Sequence, residues 1–341
     1  MSKPQDMNVD LYTRNGFAGP FTTVARPLYT PAFKRVEGDY VPRRFNAFDI
    51  PIDTEDPRAL PVAVLTGAQM QIEVAKRSLD MPFALRNVFA DELHFYFEGE
   101  ARLESDFGML DIRAGDFIHI PRATSYRIVD IAHPVTSINL VTPSQLRIEP
   151  DHAPGVLNPD LDVHAAQPSS GPPLSEAREF EVVLRHGAGT TSYFYDSDPL
   201  FGVAVAGDSL VRKFNIDDVH GLGVSGGGLV LPPLLINDET THNLIYHLGS
   251  RMVGRPPIHH NADYDEVIVF AHGPGKYGAT GEPGTVMWTP KGVIHQGPEE
   301  NVPEGYQAWL LETRSNLSLS AVAAAHASVM ETANYGAFSA G

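Results

Sequence analysis

The side chains best suited to chemistry in this chain lie close together in its second half, between residues 254 and 298. His259, Asn261 and Glu266 follow the spacing H-x-N-x4-E, and His295 comes after a further apolar run. Two imidazoles and one carboxylate can bind one face of a metal ion and leave the opposite positions open, an arrangement associated with non-haem Fe(II) oxygenases. We therefore predict a metal site formed by His259, Glu266 and His295.

The last of these ligands follows a turn with a spacing of its own. Gly284, Pro290, Gly292 and His295 read G-x5-P-x-G-x2-H, and proline and glycine supply backbone angles that most residues resist in a tight turn. An isolated histidine is more often structural than a ligand. Here the two spaced motifs occur in order, which favours one shared site over scattered polar residues.

The identity of the first histidine ligand stays open from the sequence. His259 and His260 are adjacent, so in a strand their side chains point to opposite faces. Counting from His260 gives the alternative spacing H-x5-E to Glu266. We favour His259, because Asn261 then lies on the same face and completes the motif.

An internal repeat places a second copy of the site region earlier in the chain. LRNVFADELHFYFEG aligns with IHHNADYDEVIVFAHG, and DFIHIPRATSY aligns with VMWTPKGVIH. In this alignment Leu85 stands opposite His259, and Tyr126 stands opposite His295. The first copy therefore lacks both metal histidines, and its Glu92 and His94 are predicted to be structural.

Three stretches of the chain resemble the homogentisate 1,2-dioxygenase superfamily of bicupins. They are RNVFADELHFYFEGEARLESDFGMLDIRAGDFIHIPRATSYRI, SDPLFGVAVAGDSLVRKFNI, and RPPIHHNADYDEV with the downstream TPKGVIHQGPE. Together they extend over most of residues 60–300. The resemblance implies an all-β bicupin fold, with two double-stranded β-helix barrels, an N-terminal arm and a C-terminal helix.

The chain size and the HHNADYDE segment are more narrowly similar to the large subunit of two-component hydroquinone 1,2-dioxygenases. This resemblance implies Fe(II) held by His259, Glu266 and His295, with Asn261 as a catalytic residue that faces the substrate or the metal. It implies that O2 opens hydroquinone-type para-diphenols between C1 and C2 to 4-hydroxymuconic semialdehyde. It also implies a smaller cupin-like subunit in a hetero-oligomer.

Two alternatives remain beside this function. One is a related bicupin dioxygenase that acts on homogentisate, gentisate or another aromatic acid. The chain departs from homogentisate enzymes at Thr289, where they carry a substrate-site histidine, which argues against homogentisate itself. The other is a metal-binding bicupin that is not an oxygenase.

Strand-like runs and turn residues divide the chain into five predicted segments. They are an N-terminal arm at 1–59, a first barrel without metal at 60–146, a proline-rich connection at 147–177, a second barrel with the metal site at 178–316, and a C-terminal helix at 317–341. The arm is rich in aromatic residues, so we expect it to cover a barrel or a partner subunit.

Composition excludes several classes of function. Lys and Arg total 25 against 42 Asp and Glu, a net charge of −17, which opposes binding to nucleic acids and anionic membranes. The chain has no cysteine, which excludes disulfides, zinc–thiolate sites and a cysteine nucleophile. The N-terminal residues lack an apolar signal core and no run approaches a membrane helix in length, so a cytoplasmic protein is expected.

Overall fold

The computed structural model describes residues 7–16, 19–27, 30–149, 156–168, 179–187, 189–208, 210–220, 232–249, 256–273, 282–297, 305–333 and 335. Strands dominate these residues, and the predicted all-β class is confirmed. The α-helices among them are single turns. No helix in the described part of the chain is long and apolar enough to cross a membrane.

Two successive sets of elements follow the same order, and we call them unit A (residues 7–165) and unit B (residues 180–329). Unit A contains β1 Met7–Thr13, β2 Phe21–Pro27, β3 Arg43–Asn46, β4 Val62–Thr66, β5 Gln71–Arg77, β6 Ala84–Asn87, β7 Asp91–Ser105, β8 Gly108–Arg113, β9 Asp116–Ile120, β10 Ser125–Thr142, β11 Leu146–Ile148, α1 Pro159–Asp162 and β12 His164–Ala165. Unit B contains β13 Phe180–His186, β14 Gly189–Tyr195, β15 Arg212–Asn215, β16 Leu234–Asp238, β17 Asn243–Gly249, β18 Ile258–Asn261, β19 Asp265–His272, β20 Thr285–Thr289, β21 Gln307–Thr313, β22 Ser318–Leu319, α2 Ala321–Ala324 and β23 Ser328–Val329.

The two units exchange strands reciprocally, so each of the two barrels of the bicupin contains strands from both. β3 of unit A pairs with β20 of unit B, and β15 of unit B pairs with β9 of unit A. β11 pairs with β16, and β22 pairs with β4. The hairpins are exchanged as well, since β1 runs parallel to β18 and β13 runs parallel to β6.

This pairing departs from the predicted division of the chain at 147–177. β13 and β15, predicted within the second barrel, extend the sheet of the first. β3, predicted within the N-terminal arm, extends the sheet of the second. The two exchanged strands have similar sequences: RRFNAFDI begins at Arg43, and RKFNIDDV begins at Arg212.

Equivalent buried aspartates fix the same turn in both units. Asp91 accepts from Arg122 N, Leu146 N and His119 Nε2. Asp265 accepts from Lys291 N, Leu317 N and Trp288 Nε1. Each carboxylate ties the turn after one strand to the start of another, and buried carboxylates need such donors. The internal repeat predicted from the sequence therefore extends to individual hydrogen bonds.

A shared aromatic core joins the two barrels. Trp309 of unit B contacts Phe95 and Phe117 of unit A, with ring centroids 5.8 and 5.6 Å apart, and all three side chains are fully buried. Edge-on contacts of this kind add to the stabilisation from burying large apolar surfaces. The barrels therefore form one continuous core.

The C-terminal helix is much shorter than predicted. It comprises Ala321–Ala324, with the Ser320 hydroxyl accepting from Ala323 N at its start. Beyond it, β23 pairs with β3, and Met330 N donates to Pro42 O. Strand pairing with a distant element thus overrides the helix propensity of the alanine-rich sequence.

Candidate metal centre

The site lies where β18, β19 and the turn after β20 meet. His259 and Asn261 are on β18, and Glu266 is on β19. Because side chains alternate along a strand, His259 and Asn261 share one face. The inward positions of two successive strands therefore carry the first two predicted ligands.

The turn before the third ligand is tied to β18. Gly292 has φ +78°, in the left-handed region that glycine adopts most readily, and its N–H donates to Asn261 O at 2.7 Å. The backbones of His295 and His259 then pair in both directions at 2.9 Å. This pairing brings the two histidines directly opposite each other.

The structure brings the three predicted ligands together in a buried cluster. His295 Nε2 lies 3.1 Å from Glu266 Oε2, and His259 Nε2 lies 3.7 Å from Glu266 Oε1. The candidate ligand atoms all lie within 4.8 Å of one another. Metal–ligand bonds of about 2.0–2.2 Å place two ligands of one ion about 3–4 Å apart, so this donor set fits a divalent transition metal.

Backbone carbonyls set the tautomer of both histidines. His259 Nδ1 lies 2.9 Å from Pro257 O, and His295 Nδ1 lies 2.9 Å from Val293 O. A carbonyl oxygen can only accept, so each Nδ1 carries a proton, and Nε2 is the nitrogen left to bind a metal. Such contacts behind the ligands are a regular feature of histidine metal sites.

The electrostatics of the cluster also favour a cation. Burial raises the pKa of Glu266, but the charge of His295 and hydrogen bonds from His259 and His295 outweigh burial and hold this pKa well below its usual range. Burial lowers the pKa of His295, but the nearby Glu266 carboxylate raises it overall. An ionised Glu266 thus attracts positive charge, which a metal ion supplies in place of a proton.

His260 lies outside this cluster. Its Nδ1 is 3.5 Å from Oδ1 of the buried Asp10, and its ring packs edge-on against Tyr12 at 5.2 Å. Asp10 also accepts from Arg26 Nη1 at 2.6 Å. The geometry therefore places His259 with Glu266 and His295, and places His260 against the N-terminal hairpin.

Asn261 has both ends of its side chain engaged by the protein. Its Nδ2 donates to Glu312 Oε1 at 2.8 Å. Its Oδ1 accepts from Asp263 N and Tyr264 N at 3.2 and 3.3 Å. The amide therefore bridges β21 and the turn that leads to Glu266.

Glu312 is a site residue that the sequence motifs do not reveal. It lies on β21 directly opposite Glu266, and it is completely buried. Burial and the charge of Glu266 raise its pKa well above the usual range. The sequence carries only a weak signal for it, a single acidic residue at the end of the apolar run AWLLE. Whether that residue faces inward follows from the strand register, which the sequence alone does not give.

Unit A holds a closed polar cluster at the equivalent place. The Glu92 carboxylate accepts from Asn87 Nδ2 at 2.8 Å, contacts His94 Nε2 at 2.8 Å, and accepts from Tyr126 OH at 2.7 Å. Burial raises the pKa of Glu92, but His94, Asn87 and Tyr126 together lower it to about 2. Leu85 lies where unit B has a histidine. Among the described residues, the only cluster that could hold a metal is that of unit B.

Comparison with known proteins gives low similarity. No family model matches the sequence. A cupin 2 conserved barrel domain protein from Leptotrichia buccalis is 12% identical, covering 74% of this chain and 88% of that chain with a TM-score of 0.45. A putative glyoxylate induced protein from Pseudomonas aeruginosa is 12% identical (87% and 96% covered, TM-score 0.46), and Ylba from E. coli is 6% identical (82% and 93%, TM-score 0.42). At these scores, the fold rests on the strand order and register of this chain itself.

Proposed function

We propose that this protein is an Fe(II)-dependent ring-cleaving dioxygenase that opens hydroquinone-type para-diphenols between C1 and C2 to 4-hydroxymuconic semialdehyde. The observation that carries the proposal is the buried group of His259, Glu266 and His295, whose ligand atoms face one another. Two imidazoles and one carboxylate on one face leave open positions for substrate and O2. The narrower choice of substrate rests on the resemblance of the HHNADYDE segment.

Each residue has a defined task in this proposal. When bound, iron supplies Lewis-acid and redox chemistry between the phenol and O2. His259 and His295 hold the ion through Nε2, because their Nδ1 atoms are committed to backbone carbonyls. Glu266 supplies the anionic ligand. Asn261 joins the turn after β18 to Glu312 on β21, the strand that pairs with the one carrying Glu266.

The charge of the site favours a neutral phenol over an aromatic acid. The ionised Glu266 is buried there, and a substrate carboxylate would add a second negative charge to a poorly solvated space. The nearby Arg14 and Arg314 are directed to Asp263. Arg251 and Arg255, which are basic residues close in sequence, lie outside the described residues.

A smaller cupin-like subunit is part of the same proposal. Among the described residues, the outer strands of the two hairpins, β2 and β14, each pair with a single strand. They expose aromatic side chains, with Phe21 at 65% and Phe194 at 59% exposed. Apolar groups on open strand edges are typical of surfaces that bind another chain, which supports a subunit contact at these edges.

Oxygen uptake tests the proposed reaction. Protein loaded anaerobically with Fe(II) is given hydroquinone, with gentisate and homogentisate as comparison substrates. We expect O2 consumption and a new semialdehyde absorbance with hydroquinone. The activity should be lost in His295→Ala. It should be kept in His326→Ala, because His326 is exposed and is not one of the three predicted ligands.

The other outcomes separate the alternatives. Uptake that appears only after a smaller cupin-like subunit is added would support the two-component form. Faster O2 uptake with gentisate or homogentisate would show that the substrate is an aromatic acid and that the protein is still a ring-cleaving dioxygenase. No uptake in any mixture, with iron demonstrably bound, would contradict a ring-cleaving function.

A further inference from the structure

The asparagine in each unit makes a different hydrogen bond, although its place in the fold is the same. In unit A, Asn87 Nδ2 donates to Glu92 Oε1 at 2.8 Å, across five residues of chain. Asn261 and Glu266 have the same separation in unit B. Asn261 nevertheless donates to Glu312 on another strand, also at 2.8 Å. The asparagine therefore binds Glu92 in unit A, whereas in unit B it does not donate to the equivalent Glu266.

The register identifies what differs between the units. Glu266 stands opposite Glu312 in the pairing of β19 with β21. Glu92 stands opposite Val141 in the pairing of β7 with β10. The unit with metal histidines thus has a buried acceptor at this position, and the unit without them has an aliphatic side chain that accepts nothing.

We infer that Glu312 is a positioning residue which draws the Asn261 amide onto itself and so keeps both carboxylate oxygens of Glu266 available to a metal ion. This inference rests on the metal centre of the proposed function, and it does not depend on the substrate. A hydrogen bond from the amide to Glu266 would engage one carboxylate oxygen and compete with a metal ion for the orientation of that side chain. Unit A shows the alternative arrangement, in which Asn87, His94 and Tyr126 together fill the carboxylate of Glu92.

Two neighbours hold Glu312 in the required place. Tyr246 on β17 makes a hydrogen bond with its carboxylate. Gly16, from the turn of the N-terminal hairpin, lies so close that a Cβ there would overlap Glu312 Oε2. Gly16 has φ +67°, so glycine satisfies both the backbone conformation and the close approach. The orientation of Glu312 is therefore fixed from two sides.

Metal affinity of the full-length protein tests the inference, with Co(II) as an oxygen-stable probe followed by calorimetric titration. Glu312→Val introduces the residue of unit A, and we expect Co(II) affinity to fall by about 10–100-fold, the usual effect of losing a group that orients a metal ligand. Glu312→Gln keeps an acceptor oxygen for Asn261, so its affinity should stay within about 3-fold of the wild type. Thermal unfolding of each variant shows that it is folded.

The decisive variant combines Glu312→Val with Asn261→Ala. If Asn261 competes for Glu266, the double variant should bind Co(II) as tightly as Asn261→Ala alone, since no amide is then left to bind the carboxylate. Asn261→Ala is the reference for this comparison, so any direct effect of removing this site residue is the same in both proteins. In a crystal structure of Glu312→Val, we expect Asn261 Nδ2 within hydrogen-bond distance of Glu266.

Two results would overturn the inference. An equal loss in Glu312→Gln and Glu312→Val would show that the hydrogen bond which Glu312 accepts from Asn261 is not what supports the site. A double variant that binds Co(II) more weakly than Asn261→Ala alone would show that Asn261 does not compete for Glu266. If the wild-type protein bound no Co(II), the metal centre of the proposed function would be contradicted. The failure of that proposal is therefore distinguishable from the failure of the role inferred for Glu312.

Discussion

Leu85 and Tyr126 are the side chains that separate the closed cluster of unit A from the open ligand group of unit B. Tyr126 donates a hydrogen bond to Glu92, whereas the equivalent His295 turns Nε2 toward Glu266. A phenol fills a carboxylate lone pair, and a neutral imidazole nitrogen offers a lone pair to a metal. Metal binding is thus decided by a few inward positions on otherwise equivalent strands.

The adjacent histidines give a matched pair of variants at this scale. His259→Ala should abolish Co(II) binding, because it removes a ligand from the buried group. His260→Ala should keep binding within about 3-fold, since its ring lies against Asp10 and Tyr12. It should instead lower the free energy of unfolding by about 0.5–1.5 kcal/mol, the usual contribution of an edge-on ring pair such as that of His260 with Tyr12. Titration and urea denaturation measure the two effects.

The reverse pattern would contradict the assignment. If His260→Ala lost the metal and His259→Ala kept it, the ligand spacing would be H-x5-E and the register of β18 would differ. Loss of binding in both variants, with both proteins folded, would mean that His260 supports the site indirectly.

Glu92 gives a pH-dependence that can be checked by substitution. Its pKa is lowered in the folded protein from an ordinary value of 4.5 to about 2. The ionised carboxylate therefore stabilises the fold fully above about pH 4.5, and this contribution is lost as the pH falls toward 2. Glu92→Gln should be less stable at pH 7 and should lose less stability between pH 6 and pH 3.

The control for this prediction is Glu100→Gln, at a solvent-exposed side chain. Thermal unfolding of the three proteins across the pH range provides the comparison. Parallel stability curves for wild type and Glu92→Gln would contradict a role for the Glu92 carboxylate in acid stability.

At the scale of elements, the N-terminal hairpin is part of the metal barrel. β1 pairs in parallel with β18, with Leu11 opposite His259 and Thr13 opposite Asn261. Arg14 at its turn binds Asp263 at 2.8 Å. The hairpin thus fixes the strand that carries the first ligand, and its outer strand is left exposed.

Gly16→Ala tests this coupling between hairpin and site. An alanine at φ +67° costs about 1–2 kcal/mol in backbone strain, and its Cβ would in addition overlap Glu312. We expect a loss of stability above the strain alone and a weaker affinity for Co(II). Gly305→Ala is the matched control, because Gly305 has φ +77° and no atom within 4 Å of an added Cβ.

Denaturation and Co(II) titration of the two variants show whether the turn of the N-terminal hairpin supports the metal site. Gly305→Ala should show the strain cost with unchanged Co(II) affinity. Equal effects of both substitutions on stability, with normal Co(II) binding in each, would mean that the hairpin turn does not support the site.

At the scale of the whole molecule, features set by short spacings in the sequence could be predicted, and features set by the pairing of distant strands could not. The ligand triad could be predicted because His259 and Glu266 lie at a fixed short interval. The internal repeat could be predicted because the Asn and Glu positions recur as Asn87 and Glu92. Glu312 could not be assigned, since its partner Asn261 is distant in sequence and the register of β19 with β21 brings them together. The exchange of β3 and β15 was missed for the same reason, although their repeated sequences carried the signal.

The central claim is that a molecule with two equivalent barrels binds one metal ion, in unit B. Anaerobic titration of the full-length protein with Fe(II), read as bound iron per chain, tests this claim most directly. We predict one tightly bound Fe(II) per chain, lost in His295→Ala and kept in Glu92→Gln. Two ions per chain, no bound ion, or a single ion that survives His295→Ala would contradict it.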